Sequence, residues 1–148
     1  MKTLHVLSIA TVALASTLVY STGIFAHGAD DESPEMQYIQ DAKDLKIRQL
    51  DGDNKNAFLE DIVTSGDKKT PISCGLFRME KGAPLTYTYE YPEAKVILEG
   101  QMTISDGKTT VSAEPGDVLF FPVNSTITFS SKNYGLGFTC GLRSLNGT

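Results

Sequence analysis

The sequence predicts an all-β protein with a single antiparallel β-barrel, on three observations. Short β-rich runs alternate with turn residues through the stretch from Gly82 to Pro122. The same stretch carries no apolar repeat at helical spacing. A chain of 148 residues, 41% of them hydrophobic, is long enough to bury the core of one domain. Strands at this spacing are typical of an antiparallel sandwich or barrel.

Three strands are predicted before Gly82. DLKIRQL and AFLEDIV are β-rich runs, and the polar segment DGDNKN between them is a turn. AFLEDIV also fits one short helical turn, so its assignment stays open. ISCGLFRME, which follows the loop ending at Pro71, is the third strand.

The next strands are bounded by stronger turn signals. Tyr87, Tyr89 and Tyr91 alternate with polar residues, and a period of two puts the three rings on one face of an extended segment. AKVILEG is the following strand. Asp106-Gly107 then predicts a two-residue type I′ turn between MTIS and KTTVSA, since this dipeptide supplies the positive φ angles that the turn needs.

The last strands follow two further turns. Glu114-Pro115-Gly116-Asp117 predicts a type II turn, because proline and glycine suit its two central positions. VLFF comes next, and Asn124 is a turn residue that tolerates positive φ. TITFSS and LGFTCGLR, joined at Lys132-Asn133-Tyr134-Gly135, complete and close the predicted barrel.

Two spacings resemble the motifs of the cupins. Glu93 and Gly100, with six residues between them, match the second half of the first motif, and Gly116 and Pro122, with five between them, match the start of the second. YTYEYPEAKVILEG, PGDVLFFP, TITF and GLGFTCG resemble more closely the ethanolamine-utilisation Q, or EutQ-like, cupins of the RmlC-like class. The resemblance implies a jelly roll (double-stranded β-helix) and a link to amine or alcohol catabolism.

The metal-binding residues of the cupin pattern are replaced in this chain. Counting back from Glu93, the two usual histidines fall on Tyr87 and Tyr89, and the later histidine falls on Ile127. Both histidines of the chain precede residue 28. We therefore expect no cofactor and no conventional transition-metal centre, because zinc, iron and copper prefer imidazole or thiolate ligands.

The same positions form the predicted ligand site. Alternation puts Glu93 and Lys95 on one face of their strand, and the resemblance turns that face inward together with Tyr87, Tyr89 and Ile127. Opposite charges on an inward face are costly to bury unless they pair or bind a polar ligand. In an enzyme, Glu93 would be the general base and Lys95 would stabilise developing negative charge, with the tyrosine hydroxyls orienting the substrate. The alternative is a structural ion pair on a solvated face.

Three classes of function fit these residues. The first is a metal-independent isomerase, lyase or cyclase that acts on a small molecule. The second is a non-catalytic secreted barrel that binds a small ligand, and the third is a structural or accessory protein, for example one serving ethanolamine utilisation. With 18 acidic against 13 basic residues and no basic stripe, nucleic acid is not the expected partner. Pairing at a barrel edge predicts a homodimer.

Residues 1–26 predict a signal peptide. Lys2 precedes the apolar run LHVLSIATVALASTLVYSTGIFA, and cleavage after Ala26 is the first choice. The alternative is an uncleaved membrane anchor, since the run is almost long enough to span a bilayer. Cleavage would give a secreted chain without membrane contact, in which 27–44 is an acidic flexible arm and 45–148 is the barrel domain.

Secretion bears on the two cysteines and on two glycosylation sequons. An oxidising compartment and an even cysteine count favour a disulfide between Cys74 and Cys140. Two free thiols packed as small hydrophobes are the alternative. Asn124 and Asn146 begin Asn-X-Thr sequons, which have meaning only if the chain is secreted.

Overall fold

The computed structural model describes residues 35–145. The predicted signal peptide, residues 27–34 of the predicted acidic arm and the Asn146 sequon lie outside the described residues. The strands that the structure describes all lie in the unit that spans residues 36–148. No helix within 35–145 is both long and apolar enough to cross a membrane.

The described part of the chain contains nine β-strands. They are β1 (Ala57–Thr64), β2 (Ser73–Glu80), β3 (Leu85–Thr88), β4 (Glu93–Gly100), β5 (Met102–Ser105), β6 (Thr110–Ala113), β7 (Val118–Phe121), β8 (Thr126–Ser130) and β9 (Tyr134–Gly141). A 3₁₀ helix at Ala42–Asp44 precedes them. AFLEDIV therefore forms a strand and not a helical turn. Of the predicted strand DLKIRQL, only Gln49 pairs, through an isolated bridge to Phe58.

The strands form two antiparallel sheets. One sheet has the order β1-β2-β9-β4-β7 and the other has the order β3-β8-β5-β6. The prediction that the barrel closes is wrong, since no ladder joins the two sheets within the described residues. The sheets instead pack face to face as an open sandwich, in which apolar contact and not backbone pairing holds the layers together.

The core lies between the two sheets and is rich in aromatic rings. Phe77 on β2 lies 5.1 Å from Phe129 on β8, and Phe121 on β7 lies 5.6 Å from the same ring, as measured between ring centroids. Tilted and edge-on contacts of this kind add to the stabilisation that comes from burying the rings. The remaining buried members of the core are Ala57, Met79, Tyr89, Ile97, Met102, Ile104, Ala113 and Ile127.

The turns before and after β7 have the conformations that the sequence predicts. Gly116 has a φ of +98°, and the Asp117 N–H donates to the Glu114 carbonyl at 3.0 Å, as a type II turn requires. Asn124 has a φ of +64°. The predicted turn conformations at Gly116 and Asn124 are therefore confirmed.

The turn between β5 and β6 differs from the prediction. Ser105 pairs with Thr110, so four residues separate the strands, and only Gly107 of the Asp106-Gly107 dipeptide has positive φ. The type I′ prediction is therefore wrong. The Asp106 carboxylate accepts the Thr109 N–H at 2.6 Å, and a capped loop of this kind is the local alternative to the tighter turn.

A disulfide joins Cys74 on β2 to Cys140 on β9. The two residues face each other in the ladder between these strands, with their Cα atoms 4.1 Å apart. The bridge spans 66 residues of sequence and ties together adjacent strands of the larger sheet.

Candidate functional site

A cavity of about 340 Å³ opens between the sheets. Aromatic side chains form much of its wall: Phe77, Tyr87, Tyr89, Tyr91 and Phe129. Glu93 and Lys95 also line it, and both are buried. Residues of the segment 48–54, several of them exposed, line the outer part.

Glu93 and Lys95 reach the cavity because they occupy alternate positions of β4. They are 5% and 2% exposed, whereas Ala94 between them is exposed. Lys95 Nζ lies 3.2 Å from Glu93 Oε1, and the Tyr89 hydroxyl donates to the same oxygen at 2.9 Å. One carboxylate oxygen is thus shared between a cation and a neutral donor.

The environment of Lys95 combines burial with an aromatic surface. Its Nζ lies 4.4 Å from the centroid of the Phe77 ring and 5.8 Å from that of Phe129, within the range of cation–π attraction. Burial lowers the pKa of the Lys95 ammonium, and the neighbouring Glu93 charge offsets only part of that effect. A Cβ on Gly137 would lie 3.1 Å from Lys95 Cγ, so glycine gives the lysine stem its room.

Three tyrosines follow one another along the wall of the cavity. Edge-on contacts join Tyr87 to Tyr89 at 4.9 Å and Tyr89 to Tyr91 at 5.8 Å, as measured between ring centroids. Burial, and then the charge of Glu93, raises the pKa of Tyr89 well above its ordinary value. Burial and a hydrogen bond with Tyr87 do the same for the pKa of Tyr91. Both hydroxyls therefore stay protonated at neutral pH and can donate hydrogen bonds.

Alkaline pH is expected to destabilise the domain through Tyr89. The unfolded tyrosine ionises near pH 10 while the folded one keeps its proton, so above pH 10 the unfolded chain binds fewer protons. The free energy of unfolding then falls as pH rises, by up to about 1.4 kcal/mol per pH unit for one group. Urea unfolding at a series of pH values should show a shallower fall for Tyr89→Phe. The exposed Tyr38→Phe is the matched control, and equal slopes for Tyr89→Phe and the parent would contradict the expectation.

A second buried ion pair lies next to the tyrosines. Arg143 donates two hydrogen bonds to the Asp61 carboxylate, both at 2.6 Å, and its guanidinium lies 5.6 Å from the centroid of the Tyr91 ring. Burial opposes the charge of Arg143, but the hydrogen bonds and charge of Asp61 outweigh it and raise the pKa of the guanidinium. Arg143 Nε is buried and has no hydrogen-bond partner among residues 35–145.

Four of the five predicted site residues line the cavity, and Ile127 does not. Ile127 is 3% exposed and packs in the core, where it pairs with Tyr87 between β8 and β3. Isoleucine has no polar group that could bind a ligand, and its apolar side chain is buried in the core instead. Tyr91 and Phe77 were missed by the sequence analysis, although the alternation with Tyr87 could have indicated Tyr91.

Within residues 35–145, no group of three or more His, Cys, Asp or Glu side chains could hold a metal ion. The positive charge that faces Glu93 is supplied by the Lys95 ammonium.

The sandwich and its cavity define the class of protein. The fold is that of a cupin, as in the cupin domain of Schizosaccharomyces pombe Cnp3, which matches 70% of this chain and 67% of that chain with a TM-score of 0.56. At 11% identity this likeness concerns the fold alone.

The chain belongs to the EutQ family, since the model of the ethanolamine utilisation protein EutQ matches residues 25–138. A putative ethanolamine utilization protein Q from Salmonella typhimurium LT2 is 26% identical, with a TM-score of 0.60 over 69% of this chain and 82% of that one. The acetate kinase EutQ of Escherichia coli K12 is 32% identical over 96 residues, or 64% of this chain. The chain spans about 40% of the length of that curated relative.

Proposed function

We propose that this protein is a small-molecule-binding cupin whose cavity takes a compact organic ligand, on which Glu93 acts as the general base while Lys95 stabilises developing negative charge. The observation that carries the proposal is the buried cluster of Glu93, Lys95 and Tyr89 beside a cavity of about 340 Å³. Apolar side chains in place of a buried ion pair often stabilise a fold as well or better. The stability of the fold therefore does not account for the buried Glu93–Lys95 pair, whereas a ligand that interacts with both charges does.

The cavity restricts the ligand by size and by chemistry. Its volume is at the lower end of the range for small-molecule pockets, about 300–1,000 Å³. The aromatic wall suits an apolar or unsaturated body. The shared Glu93 oxygen and the Lys95 ammonium suit one carbonyl, hydroxyl or amine group at the inner end.

Each polar side chain has a role that its contacts support. Glu93 is the proton acceptor, because it is a buried carboxylate that lines the cavity, where a ligand can approach it. Lys95 stabilises negative charge that develops on a ligand oxygen, and burial strengthens that interaction. Tyr89 keeps its proton and orients the carboxylate. We propose that Glu93, Lys95 and Tyr89 fill these roles without a metal ion.

The test compares Glu93→Gln and Lys95→Met with the parent and with Lys108→Met, which changes an exposed lysine. Binding is measured by calorimetry against small amines, polyols and phenolics. Acetate with ATP and magnesium is added because of the name of the curated relatives. For a ligand that the parent binds, each site variant should lose at least about tenfold in affinity, because a hydrogen bond to a charged group contributes about 1.5–3 kcal/mol.

Folding must be checked in the same samples by circular dichroism and thermal unfolding. If one single variant is unfolded, the double variant Glu93→Gln/Lys95→Met, which leaves no unpaired charge, takes its place. Undiminished affinity in folded site variants, for a ligand that the parent binds, would exclude this site.

We also propose that the domain works in an oxidising compartment, which the Cys74–Cys140 bridge and the predicted leader support. The native protein should then resist alkylation at both cysteines until it is reduced. Reduction should lower the free energy of unfolding by about 4 kcal/mol, from the loop that the bridge closes in the chain-entropy model. Mass spectrometry under non-reducing conditions measures the first effect. Two freely alkylated thiols in the native secreted protein would contradict the proposal.

A further inference from the structure

Lys95 differs from every other lysine in residues 35–145. Its side chain is 2% exposed, whereas the others, Lys108 among them, are exposed. Yet Lys95 lines the cavity, so this buried lysine lies against the space that a ligand would occupy. A lysine amine that is desolvated in an apolar pocket is a better nucleophile than the amine of an exposed lysine.

The contacts of Lys95 allow its proton to leave. Glu93 Oε1 lies 3.2 Å from Nζ, so the ammonium and carboxylate can become a neutral amine and a carboxylic acid by one direct transfer. An apolar aromatic surround disfavours two charges more than it disfavours the neutral pair. Burial lowers the pKa of Lys95 for the same reason. The free amine is therefore reached more easily here than on an exposed lysine.

We infer that Lys95 captures small aldehydes or ketones in the cavity as a Schiff base, with Glu93 carrying the protons. The inference deepens the proposed function, on which it rests, by naming a class of ligand and the atom that bonds to it. A carbonyl group is the electrophile that a desolvated lysine amine takes. The rings of Phe77, Tyr87 and Phe129 favour an apolar or aromatic body behind that carbonyl.

The steps balance within this pair of side chains. The ammonium of Lys95 first gives a proton to the Glu93 carboxylate. The amine nitrogen then forms a bond to the carbonyl carbon while the C=O π electrons move to oxygen, and a proton passes from nitrogen to that oxygen through the Glu93 carboxyl group. The resulting carbinolamine loses its hydroxyl as water, with the proton that Glu93 holds. An iminium on Lys95 remains beside the Glu93 carboxylate, so the charge of the pair is unchanged.

Reductive trapping tests the inference on the full chain. The protein is incubated with benzaldehyde and sodium cyanoborohydride, then digested and sequenced by tandem mass spectrometry. We expect one saturable benzyl adduct, at Lys95, under conditions that leave the exposed lysines unmodified. Lys108→Met should label like the parent, and Lys95→Met should not give the adduct. Glu93→Gln should slow labelling by about 100-fold, the usual effect of removing a general acid–base group.

Site-resolved labelling of the parent keeps the test valid if a single variant fails to fold. The double variant Glu93→Gln/Lys95→Met then serves as the folded control without the amine. Adducts spread over exposed lysines, with Lys95 unmodified, would overturn the inference. If Lys95 is not labelled but Glu93→Gln still weakens the binding of a ligand from the panel, the Schiff-base inference fails while the proposed non-covalent function stands.

Discussion

Replacing Asp61 by asparagine is expected to destabilise the domain by about 3–5 kcal/mol, because the buried Arg143 guanidinium loses its countercharge. The side chains of the pair are 1% and 4% exposed, and both hydrogen bonds between them are 2.6 Å long. The midpoint of chemical denaturation, at an unchanged m-value, measures the loss.

A surface pair provides the matched control. Arg48 Nε lies 3.7 Å from Glu60 Oε2, and both side chains are substantially exposed, so Glu60→Gln should cost less than about 1 kcal/mol. A second comparison is Asp61→Leu/Arg143→Met, which removes both charges and should be more stable than Asp61→Asn. A loss for Asp61→Asn no larger than that for Glu60→Gln would show that the buried pair does not stabilise the fold as its geometry implies.

The strands of the fold are local and could be predicted from the sequence. Alternation placed Glu93 and Lys95 on one face of β4, and the turns at Gly116 and Asn124 have the predicted backbone conformations. Closure of the barrel could not be derived in this way. It depends on whether the outer strands of two sheets meet, and no residue pattern within a strand encodes that.

The parts of the site that were missed depend on contacts over long sequence distances. Asp61 and Arg143 are 82 residues apart and meet because β2 alone separates β1, which carries Asp61, from β9, which ends two residues before Arg143. Phe77 belongs to a strand without a motif, so its place beside the Lys95 ammonium depends on the registers of β2 and β4 with β9, the strand between them in the larger sheet. The cupin resemblance predicted Ile127 at the site by position, but the chemistry of its side chain puts it in the core.

A double-mutant cycle on Glu93 and Lys95 should show strong coupling. Lys95→Met alone is expected to cost about 3–5 kcal/mol, because the buried carboxylate loses its countercharge and keeps, among residues 35–145, the hydrogen bond from the Tyr89 hydroxyl. Glu93→Gln alone puts a neutral amide in place of the carboxylate, so the ammonium loses the countercharge that lies 3.2 Å from it. The double variant leaves neither charge and should be within about 1 kcal/mol of the parent, or more stable than it. Additive losses in the double variant would mean that the two groups do not act as a pair.

The pH dependence of the same variants separates an ion pair from a packing effect. Because burial lowers the folded pKa of Lys95 below its ordinary 10.5, the unfolded chain binds more protons between those two values. The contribution of Lys95 to the free energy of unfolding therefore rises with pH through that window and is smallest below it. The advantage of the parent over Lys95→Met should grow as pH rises toward 10, measured by urea unfolding at fixed ionic strength. A difference that stays constant with pH would assign the loss to packing of the lysine stem against Gly137 and not to the buried charge.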